Sequence, residues 1–97
     1  MTDNSARVGN TTAEQLQNIV KTAFEEAPTY YANGFINGLG MADAYIVLQT
    51  NDQSVAVVNM SLSMAKTIAN NLLVMVQSFE QQTGQKVLTL DELQKGS

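Results

Sequence analysis

Cysteine and histidine are both absent from this chain of 97 residues. The first absence excludes a disulfide. The second removes the side chain that most often does general acid–base work, and leaves any transition-metal site to carboxylates alone. Basic charge is sparse as well. Arg7, Lys21, Lys66, Lys86 and Lys95 stand singly along the chain against nine acidic residues, for a net charge of −4. Duplex nucleic acid needs clustered Lys and Arg, so it is not an expected partner. No apolar run approaches the ~20 residues that cross a bilayer, and the opening MTDNSARVGN is too polar to resemble a signal peptide. The expectation is a cytoplasmic protein with no cofactor, no nucleic-acid partner and no membrane partner.

Size adds a constraint. A single domain of this length buries only about 60–65% of its unfolded surface, which leaves a marginal core. Without disulfide or metal, association with further copies is the remaining way to enlarge it.

Residues 1–10 read as a flexible polar arm, followed by one domain over 11–97. Thr11-Thr12-Ala13-Glu14 spells a capping box, with Thr11 as cap and Glu14 reaching back to it. Leu16, Ile19, Val20, Ala23, Phe24 and Ala27 then recur at helical spacing. Pro28 ends that helix by disfavouring the α conformation in the residue before it.

From Thr29 to Gly40, strand-forming Tyr30, Tyr31, Phe35 and Ile36 alternate with the pairs Asn33-Gly34 and Asn37-Gly38. This predicts an irregular strand, kinked near Gly34 and leaving through a turn at Gly38 to Gly40. A better strand covers Ala42 to Thr50, with Ala44, Ile46 and Leu48 on one side and Tyr45, Val47 and Gln49 on the other. Asn51-Asp52-Gln53 is a tight connection to a third strand, Ser54 to Met60. That strand sets Val55 and Val57 on one face, opposite Ala56, Val58 and Met60. Both faces of this hairpin are apolar.

Between Met60 and Gln82 runs MSLSMAKTIANNLLVMVQSFEQQ, whose only charges are Lys66 and Glu80. Ser61 is the expected cap and Leu62 the first helical residue, with a cap at Ser63 as the alternative. Gly84 is the expected stop. At about 100° per residue, Leu62, Met64, Ala65, Ile68, Ala69, Leu72, Leu73, Met75, Val76 and Phe79 fill about half the circumference, with Val74 outside that arc. One sheet face needs a stripe little wider than ~100°. Either the N-terminal helix covers the surplus within one chain, or another copy does. The interface candidates are Leu62, Met64, Ile68, Leu72, Leu73, Met75, Val76 and Phe79. The tail holds Val87-Leu88-Thr89-Leu90, open to a fourth strand, an arm, or a last helical turn capped by Thr89 and Glu92.

Chemistry has little to stand on. Gly34, Gly38 and Gly40 form a GxxxGxG run whose N–H groups could cradle an anion, but no Lys or Arg is near in sequence. Asp43 is the acid best placed for a role, just after that run. Its plainer reading is a turn residue with a local hydrogen bond. Tyr30, Tyr31, Asn33, Phe35, Asp43 and Tyr45 form a candidate pocket for a flat ligand, against the plainer reading of sheet packing.

Tyr31-Ala32-Asn33, Phe35, Gly38, Asp43, Met60-Ser61, Ala65-Lys66, Phe79-Glu80 and Gly84 follow one another in an order that resembles a family of short bacterial and phage proteins known only as a domain of unknown function. The resemblance covers about residues 30–87. It departs at Leu62, where that family has proline, and near Ala44, where it has an aromatic. It implies a strand region followed by a long helix, and no activity.

The expected protein is thus α+β: an N-terminal helix, a small antiparallel sheet of three or four strands, and a long C-terminal helix packed across the sheet. It is expected to be a homo-oligomer, most simply a dimer, serving interaction or assembly rather than catalysis. The alternative is a protein that binds or sequesters a small, nucleotide-like ligand in a pocket between subunits.

Overall fold

The computed structural model describes residues 12–95. The polar arm expected over 1–10, and Thr11, lie outside them. The described chain runs through helix α1 (Ala13–Glu26), strands β1 (Gly34–Leu39), β2 (Asp43–Thr50) and β3 (Gln53–Ser61), the long helix α2 (Leu62–Thr83) and the short helix α3 (Leu90–Lys95). The architecture is α+β. The chain divides into two units between Ser61 and Leu62.

In the first unit, α1 starts one residue later than the sequence suggested. Its cap is Thr12, whose hydroxyl accepts the Gln15 N–H at 3.1 Å. Gln15 Oε1 in turn accepts the Thr12 N–H at 3.0 Å. Glutamine serves the third helical position as well as glutamate does. Glu14, freed from that duty, stays in the first turn, where its charge meets the positive end of the helix. At the other end Ala27 turns extended before Pro28, as the proline requires.

The three strands form one antiparallel sheet in the order β1-β2-β3. The β2–β3 connection is a two-residue turn with Asn51 at φ 50° and Asp52 at φ 71°. Hairpins favour such left-handed turns because their twist matches that of the strands. Asn33 braces it. Its side-chain amide donates to Asn51 Oδ1 and its carbonyl oxygen accepts the Asn51 N–H, both at 2.9 Å. Beside it, the Thr50 hydroxyl donates to the Tyr31 carbonyl at 2.6 Å.

Strand β1 corrects an expectation. It is regular from Gly34 to Leu39, in unbroken register with β2 from Gly34 opposite Gln49 to Leu39 opposite Ala44. The turn falls at Met41-Ala42, where the Gly40 N–H donates to the Asp43 carbonyl at 2.7 Å. The Asn-Gly pairs are therefore strand residues. Neither Gly34 nor Gly38 has a positive φ. The register decides the matter, since it sets Phe35 against Leu48 and Ile36 against Val47, pairs that stabilise a sheet. Irregularity appears instead on β3: the register slips between Leu48 and Gln49, leaving Val55 as the extra residue of a bulge.

In the second unit, α2 begins at Leu62 directly after the last residue of β3. It ends before Gly84, which takes φ 71° and donates its N–H to the Glu80 carbonyl at 2.9 Å. The Glu80 carboxylate accepts the Val87 N–H at 2.8 Å, holding the tail against the helix end. The tail is helical only from Leu90 to Lys95, and residues 87–89 form no fourth strand. Thr89 and Glu92 cap α3 reciprocally: the Thr89 N–H donates to Glu92 Oε1 at 2.8 Å, and the Glu92 N–H to the Thr89 hydroxyl at 3.2 Å.

None of the described residues is buried. In place of a core there are apolar faces, partly or wholly open.

Candidate interaction surfaces

Helix α2 is continuous for 22 residues, so the arc expected from its periodicity exists as one surface. Of the eight interface candidates, Leu62, Met64, Leu72, Leu73, Met75, Val76 and Phe79 are exposed, while Ile68 is half-buried. Leu73 is 58% exposed and Met75 65%. Val74, outside the arc, is exposed too. Of the two charges in this stretch, Glu80 is engaged with the Val87 backbone.

The sheet presents a second set of apolar surfaces. Strand alternation and the observed register place Phe35, Leu39, Ile46, Leu48, Val58 and Met60 on one face, and Ile36, Tyr45, Val47 and Val57 on the other. Phe35, Ile36 and Val57 are all more than half exposed. The stripe of α1 is likewise open, with Ile19 and Phe24 at 60% and 69%.

On the second face, Tyr45 stands opposite Gly38. Its ring lies across the glycine so closely that a Cβ there would fall 2.5 Å from the phenolic oxygen and 2.7 Å from Cζ. The missing side chain makes room for the ring. The sequence held a signal for this pair: once the turn is set at Met41-Ala42, Gly38 and Tyr45 are partners.

The six pocket candidates are not gathered within one chain. Phe35 and Tyr45 project from opposite faces. Asn33 and Tyr31 sit at the end of the sheet where β2 turns into β3, and Asp43 at the other end, where β1 turns into β2. Tyr30 borders an open groove with Phe24, Ala27 and Pro28, which none of the other five candidates lines. Asn33 has a structural use, as the brace of Asn51. Asp43 is exposed, and its backbone carbonyl closes the first turn. Gly34 and Gly38 lie in β1 rather than in a loop, so the GxxxGxG run makes no cradle of free N–H groups.

Among the described residues, no three Asp or Glu side chains come together as a metal site would need. No described helix is long and apolar enough to cross a membrane. No family model, curated protein or solved structure matches this chain.

Proposed function

We propose that this chain is a non-catalytic interaction or assembly protein that completes its fold as a homo-oligomer, most simply a two-fold dimer, with the arc of α2 at the subunit contact. One observation carries the reading: seven of the eight interface candidates on the arc are exposed while no described residue is buried.

Magnitudes say how much surface must take part. Fully burying a Leu, Met or Phe contributes about 1.5–3 kcal/mol, so covering the exposed half of each adds about 1 kcal/mol. Two arcs together then gain on the order of 14 kcal/mol, against an association cost of roughly 4–15 kcal/mol. Against the upper end of that cost, the arc alone only breaks even. A tight dimer therefore draws on the open sheet faces as well. The near-absence of charge on α2 favours such a contact between two copies of an acidic chain, because like charges would otherwise face each other.

Light scattering over a dilution series tests this. The expected mass is a multiple of 10.5 kDa, most simply twice it, at micromolar concentration. A monomer there, folded and stable, overturns the proposal.

A further inference from the structure

We infer that a second copy adds its own β3, antiparallel, to the free edge of β3, so that two three-stranded sheets become one of six strands. The inference rests on the homo-oligomer reading and adds where the sheets join.

Strand β3 has β2 on one side only. An edge strand exposes a row of N–H and C=O groups that will pair with another strand, and proteins that leave an edge open defend it with Lys, Pro, a bulge or brevity. Strand β3 is nine residues long, the longest of the three, and contains no charge and no proline. Its one defence, the bulge at Val55, lies near its start and leaves Ala56 to Ser61 regular. The other edge, β1, is shorter and carries Gly34, Asn37 and Gly38, all poor strand formers. An open Val-Ala-Val-Val run is a template for uncontrolled pairing unless a specific partner occupies it.

The backbone identifies a fitting partner. The carbonyls of Asp43 and Gln49 both receive N–H groups from the β1 side. Because direction alternates along a strand, Ala44, Ile46 and Leu48 face β3. Their partners Met60, Val58 and Ala56 face back, which leaves Val57 and Asn59 directed outward. A two-fold axis at Val58 pairs Val57 of each copy with Asn59 of the other, so that these four residues exchange hydrogen bonds. On the apolar face it sets Val58 against Val58, and Ala56 against Met60. No charge meets its like anywhere on this seam, though each copy carries −4.

The chain has no cysteine, so one introduced thiol reports one contact. At the axis the two Val58 Cα atoms form a non-hydrogen-bonded pair about 4.5 Å apart, within disulfide range. Mild oxidation of Val58→Cys should convert most of the chain to a covalent dimer. Ile36→Cys, the equivalent central position on the β1 edge, should stay reducible-size monomer on the same gel. In unmodified protein the Val57 and Asn59 amides should exchange at least tenfold more slowly than those of Phe35 and Asn37. If light scattering shows an oligomer but Val58→Cys cross-links no better than Ile36→Cys and the Val57 and Asn59 amides exchange freely, this seam is refuted and the oligomer stands. A monomeric wild type removes both.

Discussion

The Tyr45 ring occupies the space where a side chain on Gly38 would stand, 2.5 Å from a Cβ built there to the phenolic oxygen. The two residues are direct partners across the β1–β2 ladder. Glycine weakens a strand, and an aromatic partner laid over it restores contact and shields the backbone. Gly38→Ala pushes the end of the Tyr45 ring aside on an open face, so it should destabilise the protein by at most about 1 kcal/mol, through the lost ring–backbone contact, although alanine is no worse a strand former. Urea unfolding measures it. Combined with Tyr45→Ala, the alanine at position 38 should lose most of its penalty; simple additivity would show that the two residues are uncoupled.

Leu73→Glu tests the arc of α2. It puts a carboxylate on a surface that is otherwise apolar, and should weaken association by at least about tenfold, or roughly 1.4 kcal/mol. The helix should survive, since glutamate is a good helix former. An unchanged mass on dilution, with helicity intact by circular dichroism, would place the contact elsewhere.

The Asn33–Asn51 pair predicts the behaviour of the β2–β3 turn. Asn33→Ala removes both side-chain hydrogen bonds and should cost about 1–2 kcal/mol, at a net value near 1 kcal/mol for each bond. Asn51→Gly keeps the left-handed backbone and the N–H that Asn33 accepts, so it should cost less. Amide exchange at Asn51 should accelerate in the first variant and change little in the second.

Glu92 gives a pH dependence confined to α3. The Thr89 backbone N–H, foremost, holds its carboxyl below the usual glutamate value; desolvation, the next effect in size, opposes it, and the Lys86 ammonium at 4.0 Å and the Thr89 hydroxyl add smaller lowering contributions. A lowered folded value means that the contribution is present above the unfolded value and is lost as pH falls through the folded one. The cap of α3 should thus loosen at the acid end of the carboxylate range. Chemical shifts of the Thr89 N–H should follow the Glu92 titration. Glu92→Gln, which keeps an acceptor oxygen, should hold the cap and abolish that dependence.

Much of the fold was legible because its punctuation is local. Pro28 and Gly84 each stop a helix by their own backbone chemistry, Asn51-Asp52 accepts a left-handed turn, and Leu62 opens α2 where the apolar period changes. What escaped depends on pairing. Asn-Gly at 37–38 is a strong turn signal by itself, yet aligning Phe35 with Leu48 and Ile36 with Val47 outweighs it and moves the turn to Met41-Ala42. Thr11 and Thr12 differ by one residue, and Gln15 tips the choice. The width of the arc on α2 followed from helical period alone, whereas the period left open whether another element of the chain covers it. The free edge of β3 was not legible, because an edge exists only once strand order is known.

The absence of any buried described side chain has a consequence for gene dosage. Under the oligomer reading, stability belongs to a population of chains, and the melting temperature rises with their concentration by mass action. A promoter then acts as a folding factor: below a threshold of expression the chains would be left to proteases, and above it they would protect one another.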